Sequence, residues 1–192
     1  MNTFLWLFLT ALLPVVLSAL VYLTRHVKAI GRMPYFARQL AVGLLFGGLA
    51  ILGTEYGIKI DGAVINARDA SPICAGLFFG APAGVIAGVI GGAERWFAVL
   101  WGAGEYTRLA CSVSTVLAGV FAAALRKFMF DNKKPKWYYC LAAAVIAEVI
   151  HMLMIFLTNM TDVQTAFSFV RACSLPMIAV NGLSVMLAGV LL

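Results

Sequence analysis

The sequence predicts an all-α fold, a polytopic integral membrane bundle of about seven transmembrane helices, and three observations carry that prediction. Hydrophobic residues make up 63% of the 192-residue chain and charged residues only 11%, too little polar surface to cover a water-soluble globule. The apolar stretches reach the roughly 20 residues that a helix needs to cross a hydrocarbon core. The scarce charges are also unevenly placed, with the basic residues gathered in two loops.

Residues 4–23 form the first expected span. Its basic residues follow the apolar run instead of preceding it, and no small-residue cleavage site is evident, so it reads as a retained helix and not as a signal peptide. Arg25, Lys28, Arg32 and Arg38 follow in one basic loop, and Arg126, Lys127, Lys133, Lys134 and Lys136 form a second. By the positive-inside rule both loops are expected in the cytoplasm. Glu55, Asp61, Asp69, Glu94, Glu105 and Asp162 then fall at or near the outer side. The formal charge of +6 is therefore a statement about topology, and no nucleic-acid partner is expected.

The second span, residues 39–56, leads outward. From there to the second basic loop the chain must cross an odd number of times. Three crossings fit: residues 62–79, a tight turn at Gly80-Ala81-Pro82, residues 83–101, and residues 106–125. Proline cannot donate a backbone hydrogen bond and ends helices, so a break at Pro82 is natural. A kinked helix followed by a re-entrant segment satisfies the same parity. Residues 137–158 and 166–192 complete the bundle, with the amino end outside and the carboxyl end in the cytoplasm. Gly76, Gly80, Gly84, Gly88 and Gly92 recur every fourth residue, a spacing that lets helix backbones approach closely in lipid or leaves room for a ligand or a gate. Cys74, Cys111, Cys140 and Cys173 lie scattered in apolar segments without a CxxC pair, and read as thiols.

Ionisable residues inside apolar spans are costly and point to function. Arg68, Arg95 and the group Cys111, Ser112, Ser114 and Thr115 fall on three successive spans at one expected depth. Two guanidinium groups beside hydroxyls and a thiol make a seat for a small anion, because arginine presents a planar fork of donors that matches a carboxylate. The alternative is that Arg68 pairs with Asp69, and Arg95 with Glu94 or Glu105, reaching toward the membrane surface. Glu148 and His151, three residues apart, share one helical face. An ExxH pair can belong to a metal site, but such sites need a second ExxH and further acids, so no metal and no cofactor are expected. Glu148 is expected to be neutral or to pair with an arginine across the bundle. Asn181, close after Pro176, can hydrogen-bond between helices. No glycine-rich phosphate loop, HExxH motif or Ser/His/Asp set appears, and the chain is not expected to be an enzyme.

The runs INARDASPICAGLFFGAPAGVIAGVIGGAER, RLACSVSTVLAGVFAAAL, AEVIHMLMIFL and SLPMIAVNG are similar to the five-transmembrane (5TM) receptors of the LytS-YhcK type, over about residues 53–181. The resemblance implies a single sensor domain, residues 1–38 being the first helix and basic loop and residues 39–192 the receptor core. Family members are plasma-membrane sensor regions of bacterial histidine kinases, diguanylate cyclases and other outputs. Some are linked to murein metabolism and autolysis, others are receptors for pyruvate. In the pyruvate-sensing members the ligand site uses an NxR arginine, the arginine ending the glycine-rich span, and the Cys and Ser of a CxxST motif. Those positions are Arg68, Arg95, Cys111 and Ser114 here. From this chain's own pattern of polar residues, Asn66, Glu94, Arg108, Thr115, Glu148 and Asn181 are expected as a layer around them.

The chain departs from the family pattern at Glu94, where a histidine is usual, and in the long link WFAVLWGAGEYTRLAC. That link is expected to bring Trp101, Glu105, Tyr106 and Arg108 close to the site, which argues against a pyruvate-like ligand while leaving a small anion, or a larger or more aromatic ligand, in its place. Family receptors also continue into a cytoplasmic output, whereas this sequence stops at Leu192. The expected partners are the bilayer, a small anionic ligand, a cytoplasmic output domain or partner protein, and a second copy of the chain. The alternative functions are a transporter or substrate-capture subunit resembling those of energy-coupling factor systems, and a scaffold for cell-wall assembly.

Overall fold

The computed structural model describes residues 3–24, 32–60, 63–102 and 104–192. Arg25, Lys28, Asp61 and Gly62, which enter the topology argument above, lie outside the described residues. In chain order the elements are α1 (Thr3–Thr24), α2 (Tyr35–Glu55), the strands β1 (Ile58–Ile60) and β2 (Ala63–Ile65), the short helix α3 (Ala70–Cys74), α4 (Ala81–Phe97), α5 (Arg108–Ala124), α6 (Trp137–Thr158) and α7 (Val163–Leu191). A π turn over Ala75–Phe79 prolongs α3, a 3-10 turn over Ala98–Trp101 prolongs α4, and a π turn over Leu125–Met129 prolongs α5. Six of these helices are long and apolar enough to cross a membrane.

The third crossing departs from the expected continuous helix over residues 62–79. Its first part is an antiparallel hairpin that pairs Ile58 with Ile65 and Lys59 with Val64. Only Ala70–Phe79 is helical, which at 1.5 Å per residue covers about 15 Å, half the hydrocarbon thickness. Hydrogen bonds make this irregular stretch tolerable inside the bundle. Ala70 N–H donates to Asn181 Oδ1 at 2.8 Å, and Asn181 Nδ2 donates to Asn66 O at 3.1 Å, so one side chain of α7 satisfies both sides of the bend. Non-helical backbone at membrane depth survives where the surrounding protein supplies such partners. The hairpin lies at the end of the bundle opposite the second basic loop, with Ile58 and Ile65 buried in one cluster with Leu7, Met152 and Met177.

At the other end of the short helix, the expected break at Gly80-Ala81-Pro82 is held by Gln39. Its Nε2 donates to Phe79 O at 2.9 Å, and its Oε1 accepts from Ala83 N–H at 3.2 Å, capping the end of one helix and the start of the next. Gly80 has φ +151°, and a Cβ there would lie 2.4 Å from Gln39 Oε1. Arg126 Nη1 donates to Leu77 O in the same region, taking up a carbonyl near the end of the short helix. The short helix thus runs from mid-bundle to the end that carries Gln39 and the second basic loop. The described residues hold six long apolar helices and this shorter one where seven spans were expected.

The glycine ladder acts as a packing face. A Cβ on Gly119 of α5 would sit 2.2 Å from Gly84 O of α4, so the two backbones touch where any other residue would hold them apart. Around this contact Phe46, Ile73, Leu77, Ala87 and Ala122 are fully enclosed. α6 packs on α5 and α7, and α1 packs on α7 and α2. Asp131 and Asn132 turn the chain between α5 and α6 with φ 48° and 61°, a left-handed conformation these two residue types tolerate.

Candidate functional site

Arg68 stands at the bend that precedes the short helix, fully buried, and does not reach for the membrane surface. Asn66 sets its backbone, Oδ1 accepting from Arg68 N–H at 3.2 Å. The bend also needs room: a Cβ on Gly53 of α2 would lie 2.8 Å from Arg68 Cα. The guanidinium donates from Nε to Asp69 Oδ1 at 3.2 Å and from one Nη to Cys111 O at 3.4 Å. The pairing of Arg68 with Asp69 is therefore formed, but it leaves Nη1 buried with no hydrogen-bond partner.

Arg95, in the last turn of α4, is 2% exposed. It pairs with neither Glu94 nor Glu105. One Nη donates to Gly104 O at 2.8 Å and to Thr107 Oγ1 at 3.1 Å, and Nη1 has no partner. Both guanidinium groups lie within interaction range of the Cys111 thiol. Arg68, Arg95 and Cys111, expected at one depth, are near one another, with Arg68 reaching the Cys111 carbonyl.

Asp69 extends the cluster across the bundle. Three donors converge on its carboxylate: Arg68 Nε, Thr115 Oγ1 at 2.6 Å and His151 Nδ1 at 2.9 Å. The other imidazole nitrogen, His151 Nε2, is 3.3 Å from Cys111 Sγ. Thr115 Oγ1 also lies 3.0 Å from Cys111 O, one helical turn away on α5. Asp69 and His151 thus join the same polar cluster as Arg68 and Cys111, and the sequence reading gave neither that place. Asp69 figured only as a neutralising neighbour of Arg68, and His151 only as half of an ExxH pair. The available signal was their depth: each lies in an apolar stretch level with Cys111.

Glu148 is fully buried, and its nearest basic group is His151, with Oε2 3.7 Å from Nδ1. Among the described residues no arginine reaches it, and neither carboxylate oxygen has a hydrogen-bond partner. Asp69, Glu148 and His151 together offer one ligand atom each within 4.8 Å. A metal ion there would compete with the three donors already on Asp69 and would face the Arg68 guanidinium at contact distance, which opposes binding of a cation.

The remaining candidates sort by position. Ser114 is buried on α5 with a free Oγ, and lines a cavity of about 210 Å³ between α5 and α6 together with Leu117, Ala147 and Ile150. Glu94 is half-buried with both oxygens unpartnered. Asn181 and Asn66 shape the bend, as described above. Arg108 faces away: it lies 4.1 Å over the Trp96 ring and donates to Trp96 O at 2.8 Å. The expected approach of Trp101, Glu105 and Tyr106 of the long link to the arginine pair is not formed. Trp101 donates to Glu55 at 2.6 Å, Tyr106 stacks on Phe169 at 5.0 Å and its hydroxyl donates to Asp162 O, while Glu105 is exposed. What the link gives the site is the Gly104 carbonyl and the Thr107 hydroxyl on Arg95. A larger cavity of about 470 Å³ opens elsewhere, between α1 and α2 near the basic end, and is lined mainly by apolar side chains such as Leu17, Val42 and Phe78.

This arrangement of a broken third crossing, a glycine-packed pair of helices and two buried arginines lies within a recognised domain. The family model for the 5TM receptor domain of the LytS type (5TMR of 5TMR-LYT) matches residues 21–192. The chain belongs to this family. It is 25% identical over 139 residues to the sensor histidine kinase YpdA of Escherichia coli K12, and 27% identical over 142 residues to the sensor histidine kinase BtsS of the same strain. Each alignment covers 72% of this receptor chain, and the chain spans only 24% of the length of either kinase. No solved structure matches it. The chain is accordingly a membrane sensor domain of the kind that sensor histidine kinases carry, and a multi-pass protein of the bacterial inner membrane.

Proposed function

We propose that this receptor domain binds a small carboxylate or similar anion between Arg68, Arg95 and Cys111, from the side opposite the basic loops, and passes the bound state to a cytoplasmic signalling output. The observation that carries the reading is the pair of buried guanidinium groups around Cys111, Arg68 donating to its carbonyl at 3.4 Å, each with an unpartnered Nη1. Burying a cationic donor without an acceptor is costly, and a ligand carboxylate supplies two acceptors in the geometry that arginine matches. The similarity to sensor histidine kinases supports an output as the destination of the signal.

The same contacts suggest how binding is felt. A carboxylate on Arg95 competes with Gly104 O and Thr107 Oγ1, the two groups that tie the link between α4 and α5 to the site. A carboxylate on Arg68 competes with Asp69, which is bonded to α5 through Thr115 and to α6 through His151. Either exchange alters how α4, α5 and α6 are joined, and α6 packs on α7. The resulting shift is bounded by the difference in ligand affinity between the two helix arrangements.

The amino end outside and the carboxyl end in the cytoplasm is the orientation that the basic loops support. Equilibrium dialysis of the purified protein against radiolabelled pyruvate and acetate tests the binding reading, with saturable uptake expected for at least one. Accumulation of label inside sealed proteoliposomes would assign transport in place of sensing.

A further inference from the structure

Three thiols of the receptor are buried in packing contacts: Cys74, Cys140 and Cys173 are 0%, 0% and 4% exposed. Cys111 is only partly buried, and its surroundings are different in kind. His151 Nε2 lies 3.3 Å from its sulfur, His151 Nδ1 lies 2.9 Å from Asp69 Oδ2, and Asp69 is fixed in turn by Arg68 and Thr115. With Nδ1 donating to the carboxylate, Nε2 is the acceptor that faces the thiol. A nucleophile, a base within reach and a third group orienting the base form the arrangement that activates a thiol for attack on carbon. Two guanidinium groups beside the sulfur add positive potential, and each keeps a free donor.

Passive recognition of an anion needs none of this relay. We propose that Cys111 is an activated nucleophile, and that the receptor captures a small carboxylate bearing an adjacent aldehyde or ketone carbonyl as a reversible thiol adduct. The inference rests on the anion-binding reading above. The thiol proton passes to His151 Nε2 as sulfur bonds to the carbonyl carbon, the π pair moves to oxygen, and the proton is delivered to that oxygen to give a hydroxyl. Nothing is oxidised or reduced, nothing leaves, and the reverse path regenerates thiol and ligand. Reversibility selects the carbonyl class, since a sensor must release its signal and addition to a carbonyl is readily undone. The unpartnered Nη1 groups of Arg68 and Arg95 hold the carboxylate and meet the oxygen on which charge develops.

The test uses the full chain in detergent micelles. Iodoacetate and iodoacetamide alkylate a thiol by the same displacement, with loss of iodide, but only the first is an anion. Mass spectrometry of timed samples is expected to show Cys111 modified by iodoacetate about tenfold or more faster than N-acetylcysteine, with the iodoacetamide rate also raised. His151→Gln is expected to slow both reagents at Cys111 while keeping the preference for the anion. Arg95→Gln is expected to remove the preference alone. Monodispersity on size exclusion, and the unreactive state of the three buried thiols, report that each variant is folded. With 2-oxobutyrate carrying 13C at the carbonyl, the protein-bound resonance is expected in the tetrahedral range and absent from Cys111→Ser. Bound 2-oxobutyrate that keeps its carbonyl resonance overturns the adduct while leaving the anion site standing. A Cys111 no faster than N-acetylcysteine toward either reagent, in protein that still binds the acid, overturns the activation. Absence of both binding and anion preference overturns the underlying site as well.

Discussion

His151 Nδ1 stands 2.9 Å from Asp69 Oδ2, joining a residue in the middle of α6 to one at the bend of the third crossing, 82 positions away in the chain. Asp69 also receives Arg68 Nε and Thr115 Oγ1, so a single carboxylate ties Arg68 to two neighbouring helices. Removing it leaves a fully buried guanidinium and a buried imidazole without their shared acceptor. Breaking a buried charged pair from one side costs about 3–5 kcal/mol. Asp69→Ala is expected to lower thermal stability in detergent by a margin of that order, measured by differential scanning fluorimetry. Asp69→Asn, which keeps an acceptor oxygen, is expected to lose less.

Gly53 presents no side chain toward the bend, and a Cβ there would stand 2.8 Å from Arg68 Cα and 3.0 Å from Arg68 N. Both atoms are backbone and cannot swing aside. Gly53→Ala is expected to push Arg68 out of register with Arg95 and weaken small-carboxylate binding by about tenfold, or 1.4 kcal/mol. Helix content by circular dichroism is expected to stay unchanged.

Asn181 accepts from Ala70 N–H and donates to Asn66 O and Met177 O. Substitution by alanine leaves a helix-start donor and a bend carbonyl unpaired in the interior, each worth about 1–3 kcal/mol when orphaned. Asn181→Ala is expected to destabilise the domain, and hydrogen exchange is expected to rise selectively over residues 66–74.

The long spans were legible in the sequence because their signal is composition over about 20 residues. The break at Gly80 was legible because proline and glycine mark it locally. The hairpin was missed although its signal was local: Asp61-Gly62, a dipeptide that favours two-residue hairpin turns, separates Ile58-Lys59-Ile60 from Ala63-Val64-Ile65. The partner that stabilises the following bend, Asn181, gave no such signal, since it lies more than a hundred residues away. The same limit applies to the site. Arg68, Arg95 and Cys111 were grouped by matching depth along neighbouring spans. Asp69 was discounted because an adjacent acid reads as local neutralisation, and His151 because its partners Asp69 and Cys111 come from two other elements. Arg108 and the aromatic residues of the long link were overvalued, since nearness in sequence to Cys111 does not fix which way a side chain turns. Arg108 turns to Trp96.

The central claim is that Arg68 and Arg95 together hold a small anion. Equilibrium dialysis with radiolabelled pyruvate against the wild-type chain, Arg68→Gln and Arg95→Gln tests it most directly. Saturable binding by the wild type, weakened by at least about tenfold in each variant (1.4 kcal/mol), is the predicted result. Binding by both variants with the affinity of the wild type would contradict it.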